Sequence, residues 1–367
     1  MPIQFTLPKW YDLHTHVRQG ASLNAYVQAQ LDMGCAGFLA MPNTKPPVSK
    51  VHEEDAGEGW SIAAYRGQIL AAADQRLKTL ITPLYLTRAT TPAMIEEGAK
   101  SGLLQACKYY PPHGTTGAEF GAPLDLYMEN GVFAAMEGCG IVLNIHGEEH
   151  GLEAETYFDR SGNAEEIFYE TRMPALREKF PKLRIVCEHV TTRKAVDFVA
   201  ESGAHIGATI TPQHLIYTVG HLIQGLKYHL FCLPVLKFEA DRAALRGAVL
   251  SANNSRFFAG TDSAPHTQKC TPCGCAAGCY TGGIAPQLYA HGFELAGADL
   301  ASEAGKVAFE RFLCLNGAAF YGLDVPSETF TLSKEPSSLK ALNTGDGEVV
   351  PLPLGLGQTQ IEWSLKV

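Results

Sequence analysis

Trp10-Tyr11-Asp12-Leu13-His14-Thr15-His16-Val17-Arg18 is the stretch from which the rest of the 367-residue chain is read. Side chains along an extended segment alternate with a period of two, so His14 and His16 project from one face and can reach one metal ion. The next outward step on that face is Arg18, a guanidinium fork suited to a carboxylate. A pair of surface or core histidines would look the same in isolation, so the other ligands must come from elsewhere in the chain.

That run is the first of a series. Short apolar segments at 10–16, 37–42, 80–86, 103–109, 141–146, 184–189, 205–211 and 257–262 read as strands, and stretches with helical spacing at 22–33, 92–100, 164–179, 192–202 and 240–253 lie among them. This alternation predicts an α/β chain folded as a (β/α)8 barrel, with an open doubly wound sheet as the rival. A single barrel domain is expected over 1–367, with its core at about 9–322 and a last helical stretch at 302–321. The tail, 323–367, carries Pro326, Pro336, Pro351 and Pro353 and reads as a short irregular C-terminal extension packed on the barrel.

Composition narrows the function. Hydrophobic residues make up 46% and charged residues 18%, the balance of a globular protein with a sizeable core. A net charge of −9 argues against a nucleic-acid partner, because phosphates need a basic face. Met1 to Lys9 has no charged start followed by an apolar core, and no apolar run is long enough to span a membrane, so a cytoplasmic location is expected. Six of the ten cysteines, Cys35, Cys107, Cys139, Cys187, Cys232 and Cys314, fall in apolar stretches, where a free thiol behaves as a small hydrophobe. The others, Cys270, Cys273, Cys275 and Cys279, crowd onto one loop. They leave open a structural metal site or free thiols that shape the loop.

The chemistry-bearing residues fall at strand ends. His14 and His16 end the first strand, Lys108 the fourth, His146 the fifth, His189 the sixth and Asp262 the eighth. In a parallel barrel those ends open onto a single face, so distant residues converge in one mouth. Lys108 is the only cation in Gly102-Leu103-Leu104-Gln105-Ala106-Cys107-Lys108-Tyr109-Tyr110, a costly place for an ammonium. Addition of CO2 to the neutral amine would make it a carbamate that can bridge two metals. Alternatively the side chain reaches the barrel mouth and binds an anionic substrate.

Taken together, H-T-H-V-R at 14–18, M-P-N at 41–43, C-K-Y-Y-P at 107–111, N-I-H-G-E at 144–148, E-H-V-T-T at 188–192, T-I-T-P-Q-H-L at 209–215 and G-T-D-S-A-P-H at 260–266 resemble the class II, compact bacterial dihydroorotases of the amidohydrolase superfamily. The likeness runs through F-Y-G-L at 320–323. It implies reversible closure of N-carbamoyl-L-aspartate to L-5,6-dihydroorotate, a step of pyrimidine synthesis, at a centre of two Zn2+ ions. His14, His16 and Asp262 would hold one ion, and His146 and His189 the other. Lys108 would lie between them as N6-carboxylysine, and Asp262 would carry the catalytic proton. Arg18, Asn43 and His266 would bind the non-reacting carboxylate, and the backbone of Leu233 and Ala277 the ring amides. Thr115 and Thr116 would sit on a loop that closes over the substrate. The resemblance further implies a homodimer and free thiols in the cysteine-rich loop. A related cyclic-amide hydrolase of the dihydropyrimidinase or hydantoinase kind is the first alternative, against which Arg18 and Asn43 speak. An inactive scaffold homologue is the second, against which the complete ligand set speaks.

Overall fold

The computed structural model describes residues 3–272 and 274–367. The first barrel strand, Trp10–Thr15, pairs in parallel with the second, Cys35–Ala40, which pairs with Thr79–Ile81. A six-stranded parallel sheet continues the ring through Leu84–Tyr85, Ala106–Tyr109, Val142–Ile145, Ile185–Cys187, Ile206–Ile210 and Phe257–Ala259. The third expected strand is thus two pieces, one facing the second strand and one the fourth. Pro83 lies between them and has no N–H to give either ladder.

The ring closes beside the first stretch read. The Asp262 N–H donates to the His14 carbonyl at 2.8 Å, and His16 N–H donates to the Ser263 carbonyl at 3.0 Å. Gly260 makes this closure possible: a Cβ there would lie 2.6 Å from Thr209 and 3.0 Å from His14. The sheet is closed, which removes the doubly wound alternative.

Inside the ring, Tyr11, Leu13, Leu39, Val142, Val186 and Phe258 pack together, with Phe320, Tyr321 and Leu323 against them at the N-terminal end. A second, larger apolar layer fills the space between strands and helices. Helix Ala164–Lys179 falls where its spacing predicts, and Asn163 Oδ1 accepts from the N–H groups of Glu165 and Glu166 at its start. Thr91, with Pro92 at the first helical position, opens Pro92–Ser101 in the same way. Helices Ile62–Ala73, Val132–Cys139 and Ala285–Leu295 are additional to those expected. Among the described residues no helix is long and apolar enough to cross a membrane.

The tail is more ordered than its prolines suggest. Thr329–Ser333 pairs antiparallel with the N-terminal strand Gln4–Pro8 on one side and with Ser364–Lys366 on the other. Trp363 is fully buried and meets Phe5 edge-on, its Nε1 donating to Glu294. Cys139 also departs from expectation. It is exposed, because it closes its helix one residue before the left-handed Gly140 cap.

Candidate metal centre and active site

All of the predicted ligands lie at the C-terminal mouth of the ring. His14, His16 and Asp262 form a buried group whose ligand atoms all lie within 4.8 Å of one another. Asp262 Oδ1 is 3.0 Å from His16 Nε2 and 3.3 Å from His14 Nε2. The His189 ring sits 4.9 Å from that of His14 and 4.7 Å from that of His146. His189 and Asp262 both have left-handed backbone, with φ of 39° and 47°, as does Arg18 at 56°. Non-glycine residues are rarely held there, and the strain concentrates where the strands turn into the mouth.

Three of the imidazoles, His14, His16 and His146, are aimed by a bond at one ring nitrogen, whereas His189 Nδ1 has no partner among the described residues. His14 Nδ1 donates to Glu188 Oε2 at 2.7 Å, and His16 Nδ1 donates to Asn43 Oδ1 at 2.8 Å, which leaves both Nε2 atoms facing Asp262. His146 Nε2 meets Glu148 Oε2 at 2.7 Å, leaving its Nδ1 for another partner. Glu188 is a hub: besides His14 it accepts from Thr209 Oγ1 at 2.5 Å and from the amide of Asn144. Such carboxylate–histidine pairs fix the tautomer and orientation of a metal-binding ring.

Lys108 is fully buried, and its Nζ has no hydrogen-bond partner among the described residues. It is therefore not a solvated ammonium at the rim of the mouth. Its Nζ lies 5.0 Å from the centroid of the Tyr110 ring. Burial, only partly offset by Glu188 and Asp262, pulls the Lys108 ammonium down to about 8, so the neutral amine is readily available near neutral pH. Burial also pushes His16 down to about 4 and His189 well below the usual imidazole range. It would raise Asp262, but His14 and His16 prevail and hold that carboxyl well below the usual range. The mouth thus brings imidazoles and carboxylates together with two nitrogens, Lys108 Nζ and His189 Nδ1, that have no partner among the described residues. Those donors suit divalent cations of the zinc type.

The predicted substrate and loop residues surround this centre. Arg18, Asn43, Thr115, Thr116, Leu233 and Ala277 line the same cavity as His14, His16, His146, His189 and Asp262. His266 stands behind it. Its Nε2 donates to the Ala277 carbonyl at 2.8 Å and lies 3.3 Å from Arg18 Nη2, while Arg18 Nε donates to the Pro265 carbonyl. The loop after the fourth strand lies over the cavity, whose free volume is about 20 Å3. Two bonds fasten it: Asn43 Nδ2 to the Thr116 carbonyl and Tyr85 OH to the Gly117 carbonyl, each 2.9 Å. Asn43 therefore spends both ends of its amide on His16 and the loop.

Glu188, Asn144, Glu148, Tyr85 and Tyr110 were not anticipated as parts of the site. The available signal was an acid inside an apolar strand, Ile185-Val186-Cys187-Glu188, directly before a ligand histidine. In the cysteine-rich loop, Cys270 and Cys275 face each other across a two-stranded hairpin and the Cys279 thiol donates to the His229 carbonyl. Cys273 lies outside the described residues.

A closed parallel barrel with buried histidines, an aspartate and an orphaned lysine at one mouth is the architecture of a metal-dependent amidohydrolase. No family model matches the chain. It is 41% identical over 367 residues to the dihydroorotase of Halorhodospira halophila, spanning 98% of each chain. Among solved structures it superposes on the Saccharomyces cerevisiae dihydroorotase complexed with 5-fluoroorotic acid with a TM-score of 0.84 and 26% identity, covering 99% of this chain and 98% of that one. An L-hydantoinase from Arthrobacter aurescens shares the fold, with a TM-score of 0.74 at 16% identity over 98% of this chain and 83% of its own. The chain belongs to the dihydroorotase family, whose activity is that of a cyclic amide hydrolase.

Proposed function

We propose that the chain interconverts N-carbamoyl-L-aspartate and L-5,6-dihydroorotate with two zinc ions, held by His14, His16 and Asp262 on one side and by His146 and His189 on the other, with Lys108 as N6-carboxylysine between them. The observation that carries this reading is the orphaned Lys108 Nζ, buried among imidazoles and carboxylates of which His14 and His16 are held by Glu188 and Asn43. A carbamate there would remove the unpaired ammonium and complete the ligand set. When bound, the ions would supply Lewis acidity and make hydroxide available near neutral pH, since water's pKa can fall from 15.7 to about 7 in such sites.

The chain's own residues do the rest. In the hydrolytic direction Asp262 takes the proton of the attacking water and delivers it to the leaving ring nitrogen. In synthesis the same carboxylate removes a proton from the ureido nitrogen. Its low proton affinity keeps it ionised and ready to accept. Arg18, Asn43 and His266 hold the carboxylate that does not react, and the backbone of Leu233 and Ala277 holds the ring amides. One N–H of Asn43 Nδ2 holds the Thr116 carbonyl and the second is left for the substrate, which ties binding to the closed loop. Thr115 and Thr116 present hydroxyls from the closed loop. The enzyme works in the cytoplasm as a homodimer.

Assay of the purified chain with carbamoyl aspartate, alongside metal analysis, tests the reading. Two zinc ions per chain and a labelled carbon from 13C-bicarbonate that is absent in Lys108→Met are expected. One ion per chain, or no label, would refute the bridged centre. Ring closure consumes a proton as a dianion becomes a monoanion. Acid must therefore favour the ring and alkali the open form, and an equilibrium ratio unchanged between about pH 6 and 9 would exclude this reaction.

A further inference from the structure

Outside the mouth, two cavities of about 300 and 390 Å3 share Tyr217, His291 and Gln358 and so form lobes of one groove. It runs between the segment after the seventh strand, helix Glu239–Leu250, helix Ala285–Leu295 and the tail. None of its residues belongs to the catalytic centre.

The larger lobe is cationic. Arg242, Arg246, Lys227, His221 and His291 line it, and among the described residues no Asp or Glu does. Arg242, Arg246 and Lys227 carry the charge, since burial, Arg242 and Lys227 disfavour it on His221 and His291 stands beside Glu294 and Glu362; they do so on a chain whose net charge is −9. The two arginines stand one helical turn apart. Each uses one edge on a carbonyl at the end of helix Pro212–Ile216: Arg242 Nη1 donates to Ile216 at 2.6 Å and Arg246 Nε to Leu215 at 2.8 Å. Glu239 takes one further Arg242 nitrogen, while Arg242 Nε is buried without a partner and the terminal nitrogens of Arg246 have none among the described residues. Burial and the neighbouring Arg242 both disfavour the Arg246 charge, a cost that a bound anion would relieve.

The smaller lobe is neutral where it joins the larger. Tyr217 and Leu288 offer apolar surface, and Gln287, Gln358 and Gln360 offer amides. Gln287 is only 6% exposed, and its Oε1 has no hydrogen-bond partner among the described residues. A buried amide oxygen left unpaired is costly and calls for a donor from the groove. Glu362 lies on this lobe near Lys334, which also holds Glu294. We propose that the groove is a second ligand site for a nucleoside monophosphate, its phosphate held by Arg246, Lys227 and Arg242 and its base lying along Tyr217 with an N–H given to Gln287. Guanidinium and ammonium groups bind phosphate, whereas an amide and an aromatic face select a flat hydrogen-bonding ring.

Calorimetric titration of the metal-loaded full chain with uridine monophosphate, adenosine monophosphate, uridine and inorganic phosphate tests this, because it does not depend on turnover. At least one nucleotide should bind one to one with a Kd below about 1 mM, and both fragments at least about tenfold more weakly. Arg246→Ala and Lys227→Ala should each weaken the nucleotide by about tenfold. Gln287→Leu should weaken the nucleotide but leave phosphate unchanged, and saturating dihydroorotate should not compete. Thermal unfolding of each variant verifies that it is folded, and the exposed-side Lys227→Ala serves if Arg246→Ala is not. Absence of saturable binding of either nucleotide overturns the proposal. So do affinities unchanged by Lys227→Ala and Gln287→Leu, or displacement by dihydroorotate, which would locate the binding in the mouth.

Discussion

The two ends of the barrel interior are built from the same strands and do opposite things. At the N-terminal end Tyr11, Leu13 and Phe258 close on Phe320 and Tyr321, an apolar plug. One to four residues beyond the floor residues Leu13, Ala106, Val142, Val186 and Phe258 stand His14, His16, Lys108, Asn144, Glu188 and Asp262, all buried and all polar. Burial stabilises the first group and penalises the second, so the floor must supply folding energy while the mouth stores strained backbone and shifted protonation. Substitutions at the mouth should therefore change rate, and substitutions at the floor should change stability.

The largest effect tests the mouth. Asp262→Asn removes the carboxylate proposed as ligand and proton carrier, and kcat should fall by about 10³-fold or more while the chain stays folded at 25 °C. Circular dichroism and steady-state kinetics on one preparation decide it. Loss of folding instead of rate would make Asp262 a structural residue and break the contrast.

The floor should answer in the other quantity. Phe258 is 1% exposed and packs on Phe320 at 5.8 Å between ring centroids. Phe258→Ala should cost about 3–5 kcal/mol of unfolding free energy. Measured well below the melting temperature, kcat/KM should be nearly unchanged. A large loss of activity in the folded variant would mean that the floor transmits strain to the mouth.

Glu188→Gln sharpens the boundary, because Glu188 belongs to the mouth but faces away from the substrate. The amide keeps the shape and loses the charge that fixes His14. Metal affinity should drop about 10- to 100-fold, with kcat restored at saturating zinc. Equilibrium dialysis gives the first quantity, and unchanged affinity would assign Glu188 to packing alone.

The contrast also governs what the sequence makes legible. Strands whose interior residues alternate with their neighbours declare themselves, and helix Ala164–Lys179 could be bounded from its own spacing. The candidate ligands were legible as a group at one mouth because metal chemistry restricts each such position to a few residue types. The break at Pro83 was present in the sequence but hidden by apolar residues on both sides. Helix Ile62–Ala73 is rich in alanine and shows no clear apolar stripe. The order of the tail depends on pairing between Thr329–Ser333 and Gln4–Pro8, a contact between opposite ends of the chain that no local pattern records. Glu188, and the bond that Asn43 makes to His16, escaped for a related reason, since the partners His14 and His16 come from a different strand.

The smallest effect separates two jobs of the loop over the mouth. Its closed position rests on backbone carbonyls, those of Thr116 and Gly117, so Thr115→Ala with Thr116→Ala leaves both fastenings in place and removes only hydroxyls that face the cavity. Turnover should suffer far more than folding, and near-normal activity would remove these threonines from substrate contact. Tyr85→Phe does the reverse: it deletes one fastening and touches no substrate. One hydrogen bond is worth about 0.5–1.5 kcal/mol net, so the closed population should fall by a few-fold, and kcat/KM with it, while the melting temperature barely moves. If the tyrosine variant lost as much activity as the double threonine variant, the loop would act as a single rigid body and closure itself, rather than the hydroxyls, would limit the reaction.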